Sequence, residues 1–342
     1  MKDSVIEVQN LKTYFYLDEG TVKAVDGISL DIKEKETLGV MGESGCGKTV
    51  AALSILRILP KTAKIVDGKV FFYGSNNNET IELTKFKQDS TEMRNIRGKE
   101  ISMIFQEPMT SFSPVHTIGN QILESIYYHD TRDKKLAVQK ALDMLHKVGI
   151  SNPAQRMNEY PHQLSGGLRQ RAMIAMALVC RPKMLIADEP TTALDVTIQA
   201  QILELIQSLQ QELGMAVMFI THALTVISSI TERAAVMYLG RIVEFAGTRT
   251  LFKNPQHPYT TSLLRSIPSI GRKARIRLEA IKGNVPIPLD PLPQCGFYGR
   301  CPSEMPGVCD RAVPAITEIE SGHLVRCFLY SKDKETDDER SK

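Results

Sequence analysis

Residues 42–49, Gly42-Glu43-Ser44-Gly45-Cys46-Gly47-Lys48-Thr49, fit the pattern G-x-x-x-x-G-K-[ST]. Glycines at these positions let the backbone wrap closely enough for successive N–H groups to face phosphate oxygens, with a helix N-terminus behind them. Lys48 is placed to reach β- and γ-phosphates, and the Thr49 hydroxyl to ligate Mg²⁺. Cys46 fills a free position of the pattern and reads as a small filler. A second constellation lies at Met184-Leu185-Ile186-Ala187-Asp188-Glu189, an apolar run ending in two carboxylates. A buried strand does not carry adjacent acids without a use for them. Asp188 at the strand end suits Mg²⁺ coordination through water, and Glu189 suits a general base that polarises the attacking water. A third is the set Cys295, Cys301, Cys309 and Cys327, spaced C-x5-C-P-x6-C-x17-C in a Pro-rich, core-poor segment. Four such thiols look like a ligand set that staples a small domain. An Fe–S cluster, Zn²⁺ and unliganded reduced thiols all fit that description.

These residues need elements to hold them. Residues 35–41 read as a buried strand feeding the Gly-rich turn, and AALSILRIL after it has helical spacing, so the first motif is a strand–loop–helix unit. Helical periodicity runs from about Ile118 to Gly149 and resumes through RQRAMIAMALV, where Cys180 closes the helix as a small core residue. Strands return at 184–188, 216–221 and 234–240, with a helix from about Ile198 to Leu213. Alternating strands and helices predict a largely parallel α/β sheet. Beyond residue 254 the chain turns Pro-rich and irregular.

Bulk properties remove several classes. Lys plus Arg total 42 against 39 Asp plus Glu, and a net charge of +3, evenly spread, does not describe a nucleic-acid surface. No apolar run approaches the about 20 residues that span a bilayer, and the N-terminus lacks the basic start and apolar core of a signal peptide, so a soluble cytoplasmic chain is expected. In that compartment six cysteines are not a disulfide framework.

Leu164-Ser165-Gly166-Gly167, followed by Arg169-Gln170-Arg171 and placed just upstream of the Asp-Glu strand, resembles the signature of the ATP-binding cassette (ABC) family. The resemblance implies a RecA-like P-loop α/β core with an antiparallel β subdomain and a helical subdomain. It also implies that Ser165, Gly166 and Gly167 complete the ATP site of an opposing cassette, their helix N-terminus facing the γ-phosphate. Leu168 stands where Gln is usual, a substitution found in the peptide-transporter branch. By the same resemblance Gln106 is the loop glutamine that senses Mg²⁺ and attacking water. His222 is the switch histidine at the γ-phosphate, and Ala193-Leu194-Asp195 is the loop crossing the dimer interface. Ala223 replaces a frequent Asp, which bears on local packing of the switch rather than on the histidine. For the adenine, Tyr14-Phe15-Tyr16 offers stacking faces, and Phe15 matches best by its spacing from Asn10-Leu11.

Asn254-Pro255-Gln256-His257-Pro258-Tyr259-Thr260, Gly283-Asn284-Val285-Pro286 and Cys295 through Pro302 resemble the C-terminal extension of oligopeptide and dipeptide importer ATPases. This gives a division into a nucleotide-binding domain at 1–254, its helical subdomain at about 107–178, an extension at 255–331 and a disordered tail at 332–342. Within this branch the four cysteines imply a [4Fe-4S] cluster, with Zn²⁺ as the alternative. Partners implied are a paralogous ATPase subunit, two transmembrane permease subunits and an extracytoplasmic solute-binding protein. The chain would then sit peripherally on the cytoplasmic face of the cell membrane. Two rival readings, a cassette protein acting on DNA or the ribosome and an Fe–S redox enzyme gated by ATP, want coiled-coil inserts and basic patches or a redox substrate pocket. The sequence displays none of these features.

Overall fold

The computed structural model describes residues 3–74, 80–107, 111–192, 194–266 and 281–331. The tail expected to be disordered, 332–342, lies outside the described residues, as does Ala193 of the interface loop.

Two sheets organise the chain. One is antiparallel, ordered β2-β1-β4-β5, from β1 (Ser4–Leu17), β2 (Gly20–Lys33), β4 (Ala63–Tyr73) and β5 (Thr80–Glu82). The other runs β11-β12-β10-β9-β3-β8-β7-β6, from β3 (Thr37–Met41), β6 (Ile101–Ile104), β7 (Met184–Asp188), β8 (Ala216–Thr221), β9 (Arg233–Tyr238), β10 (Arg241–Gly247), β11 (Thr317–Glu320) and β12 (His323–Val325). Its centre, β9-β3-β8-β7-β6, is parallel throughout. Every residue of β3, β7 and β8 is buried, which is why these strands read as continuous apolar runs instead of alternating ones.

The antiparallel sheet and the helix Lys48–Ile55 close one core around Ile6, Leu11, Ile28, Ile55 and Phe72, and the hydroxyls of Thr13 and Ser54 are hydrogen-bonded inside it at 2.8 Å. A second core lies among the helices Ile118–His129, Lys134–Lys147 and Gly166–Leu178 and beneath Val196–Leu213. Each of these helices begins on a side-chain cap, from Thr117, Asp133, Ser165 and Asp195 in turn, satisfying donors that a helix start leaves open. Arg233 locks the sheets together, donating to Glu36 at 2.6 Å and to Asp31 at 3.0 Å.

The chain beyond residue 254 returns to the main sheet. β12 pairs antiparallel with β10, and the buried Glu244 carboxylate receives the amides of Gln256 and His257 and bonds His323 Nε2 at 2.8 Å. Tyr259 and Phe297 share a core with Met41, Val236 and Tyr238. No helix among the described residues is long and apolar enough to cross a membrane.

Candidate functional site

β3 delivers the chain into the phosphate-loop motif, and the motif's glycines are set by what presses on them. Gly42 has φ 152° and a Cβ there would lie 2.2 Å from the Met237 carbonyl oxygen; at Gly47, φ 99°, it would lie 2.1 Å from that of Ala24. Gly45 (φ 81°) has open space beside it and needs glycine for its backbone conformation alone. The helix Lys48–Ile55 starts at Gly47 with no side-chain cap among the described residues, which leaves its first N–H groups to an anion. Lys48 is buried, its Nζ donating to the carbonyls of Gly42 (2.8 Å) and Glu43 (3.1 Å), while Ser44 and Thr49 are exposed.

The Asp-Glu pair arrives from β7, the second strand over from β3. Asp188 is 2% exposed, Thr49 hydrogen-bonds it, and its Oδ1 has no partner among the described residues. Burial, with the Glu189 charge adding to it, raises the Asp188 pKa against the pull of Thr49 and Lys48. An orphaned, buried carboxylate oxygen beside the Thr49 hydroxyl is a donor set that fits Mg²⁺, a hard cation with oxygen ligands.

Glu189 turns out of the strand at φ 46°, a left-handed conformation held by its amide donating to the Ile220 carbonyl at 2.8 Å. Three side chains converge on its carboxylate: His222 Nδ1 lies 3.0 Å from Oε1, and Gln106 Nε2 (3.2 Å) and Thr192 Oγ1 (3.0 Å) donate to Oε2. Burial pushes its pKa up, but the bonds from His222 and Thr192 outweigh it, and the net shift is downward. The structure thus brings Gln106, Asp188, Glu189 and His222 together with Lys48 and Thr49. Thr192 was not anticipated; three positions after Glu189 in a turn, it carries no periodicity or motif to mark it.

The other expected residues serve different places. Ser165 Oγ accepts from the Leu168 amide and Asp195 Oδ1 from the Ile198 amide, each capping its own helix. A Cβ at Gly167 would meet Ile198 at 3.2 Å, so the signature turn lies against the start of Val196–Leu213, and Gly166 faces Leu194. On β1, Tyr14 is engaged by Asp26 at 2.8 Å, Phe15 is half-buried, and Tyr16 is 49% exposed.

The expectation of a metal centre in the extension meets a correction. Among the described residues no group of three or more His, Cys, Asp or Glu could hold a metal ion, which supports neither a [4Fe-4S] cluster nor four-thiolate Zn²⁺. Cys295, Cys301, Cys309 and Cys327 are free thiols, three of them buried, and all four line one small cavity with His257, Phe297 and Met305. Burial raises the pKa of Cys295, Cys301 and Cys327, Cys301 to about 11. The physical reason is that metal ligation needs thiolates, whereas burial favours the neutral thiol at three of these cysteines.

Comparison with known proteins agrees with this arrangement. Residues 25–192 match the family model described as ABC transporter, and residues 243–309 match that of the oligopeptide/dipeptide transporter C-terminal region. The chain is 51% identical over 327 residues to a probable peptide ABC transporter ATP-binding protein, y4tR, of Sinorhizobium fredii, covering 95% of each chain. It is 48% identical to the oligopeptide transport ATP-binding protein AppD of Bacillus subtilis, covering 96% of this chain and 98% of that one. Among solved structures, the ATP-binding cassette MJ0796 as a post-hydrolysis dimer with ADP and Pi superposes with TM-score 0.62 at 27% identity, over 71% of this chain and 99% of that one. With both family models matched and relatives of this identity along nearly its whole length, this chain belongs to the ABC transporter ATP-binding proteins of the oligopeptide/dipeptide branch.

Proposed function

We propose that this chain binds and hydrolyses MgATP and couples that cycle to the import of dipeptides, oligopeptides or a related solute such as an oligosaccharide or nickel. The observation that carries the reading is the convergence of Gln106, Thr192 and His222 on Glu189, one residue from the orphaned Asp188 oxygen. The phosphate loop of Gly42, Ser44, Gly45, Cys46, Gly47, Lys48 and Thr49 binds the triphosphate with its amides and the Lys48 ammonium, and Phe15 stacks on the adenine. Lys48 must leave the Gly42 and Glu43 carbonyls to do so. Thr49, Asp188 and Gln106 would hold Mg²⁺, which neutralises charge on the phosphates.

Glu189, kept ionised by its hydrogen bonds, orients a water and takes its proton as the water oxygen attacks the γ-phosphorus and the bond to the bridging oxygen breaks. His222 keeps the carboxylate aimed through its 3.0 Å contact with Glu189 and takes the part of the switch histidine toward the γ-phosphate. Ser165, Gly166, Gly167 and Asp195 lie on the face that completes the site of a second cassette, in a head-to-tail sandwich with a paralogous ATPase subunit. Closure of that sandwich would pull on two permease subunits at the cytoplasmic face of the membrane, and a solute-binding protein would deliver cargo from outside. The nucleotide-binding domain is assigned to 1–254, with the helical subdomain at about 107–178, and the extension to 255–331.

A [4Fe-4S] cluster held by Cys295, Cys301, Cys309 and Cys327, with Zn²⁺ as the alternative, is part of the proposal, and its support is that the four thiols line one small cavity. Anaerobic purification with iron and sulfide analysis tests it; a chain free of both, with the fold intact, removes it. The transport reading is tested by ATP turnover in the complex with both membrane subunits. Turnover that ignores added solute-binding protein and its cargo would overturn it.

A further inference from the structure

Arg300 stands immediately before Cys301, in the turn that carries two of the four thiols, yet its guanidinium ends on the phosphate loop. Nη1 donates to Glu43 Oε2 and Nη2 to Oε1, each at 3.0 Å, fork against carboxylate. The remaining N–H groups go to the Tyr238 hydroxyl at 2.9 Å, the Gly283 carbonyl at 3.0 Å and the Lys282 carbonyl at 2.8 Å. All five donors of the group are in use on a side chain 9% exposed, with the Tyr238 ring beneath it at 5.7 Å. An arginine that had merely met a nearby carboxylate would leave donors to water.

The extension grips the same residue a second time. The Glu43 amide donates to the Tyr259 hydroxyl at 2.9 Å, and Tyr259 is fully buried against Tyr238 (4.6 Å) and Phe297 (5.4 Å). Glu43 also offers the carbonyl on which Lys48 rests at 3.1 Å. One residue of the phosphate loop is therefore held by side chain and by amide from the extension, and it in turn holds the lysine that must meet the phosphates.

We propose that Arg300 is a positioning residue for nucleotide binding. Through Glu43 the C-terminal extension fixes the entrance of the phosphate loop and neutralises a carboxylate that would otherwise oppose the incoming triphosphate. The inference rests on the reading of residues 42–49 as the ATP site, and it gives the extension a part in that site.

Removing Arg300 leaves Glu43 as an uncompensated charge beside an anion site, so the loss should appear in affinity and not in the chemical step. MgATP titration of the purified full-length chain, with kcat at saturating ATP measured in the complex, should show Arg300→Gln raising Kd about tenfold with kcat retained. Adding Glu43→Gln should restore much of the affinity, which a merely unfolded extension would not allow. Tyr259→Phe keeps the ring packing and removes the acceptor for the Glu43 amide; it should weaken binding by a smaller factor, about threefold. Arg300→Gln binding MgATP as tightly as the unaltered chain, or Glu43→Gln failing to relieve its defect, would overturn the proposal. An unaltered chain that binds no MgATP would instead remove the ATP-site reading beneath it.

Discussion

Glu189 and His222 are joined by a 3.0 Å hydrogen bond between Oε1 and Nδ1, although 33 positions separate them in the chain. The contact follows from topology: β7 and β8 are adjacent parallel strands with Asp188 paired to Ile220, so the residues just past their ends emerge at one edge. With Glu189 as proton acceptor, Glu189→Gln should keep MgATP affinity and lower kcat by about 10²–10⁴-fold, the usual worth of general base catalysis. Nucleotide titration beside steady-state turnover separates the two, and unchanged turnover would place the working base elsewhere.

The histidine's part should show in the pH profile. After burial, which works the other way, the largest influence on Glu189 is the hydrogen bond from His222, and it holds the carboxylate below its usual range. His222→Ala removes that bond, so the Glu189 pKa should rise and the acid limb of the kcat profile should move to higher pH. An acid limb that stays in place while kcat falls would mean that His222 acts only on phosphate.

β7 and β8 were legible in the sequence to the residue, because a parallel strand buried on both faces leaves an uninterrupted apolar run. β1 runs from Ser4 to Leu17 and was not legible over that length, because bulges after Val8 and Thr13 break the alternation that marks a strand. The motif residues were legible by pattern, and their convergence on one carboxylate follows once the strands are parallel neighbours. What the extension does was not legible. β11 and β12 are short and partly polar, and Arg300 and Glu43 meet across 257 positions, a pairing for which periodicity has no signal.

Asp188 should trade stability against function. Its buried carboxylate has a raised pKa and one oxygen without a partner among the described residues, so the folded chain binds its proton more tightly than the unfolded chain does. Stability from this group is therefore present at low pH and is lost as pH rises through the folded pKa. Asp188→Asn removes the charge and should stabilise the metal-free chain at neutral pH by on the order of 1 kcal/mol while abolishing MgATP turnover. Denaturant unfolding without metal, paired with turnover, checks it; a less stable variant would mean that the Thr49 contact outweighs the buried charge.

The phosphate-loop glycines should separate by mechanism when each is replaced by alanine. Both Gly45 and Gly47 have positive φ, which costs an L-residue about 1–2 kcal/mol. Only at Gly47 would the new methyl group also strike a backbone oxygen, that of Ala24 at 2.1 Å, and β2 cannot retreat because the neighbouring Asp26 amide is bonded to the Gly240 carbonyl. Gly45→Ala should therefore fold with a modest loss of stability, about 1 kcal/mol, whereas Gly47→Ala should lose at least about 3 kcal/mol and all measurable nucleotide binding. Chemical denaturation with nucleotide titration on both variants makes the comparison. Equal losses would show that conformation alone selects glycine at both positions and that the loop has room to move away from Ala24.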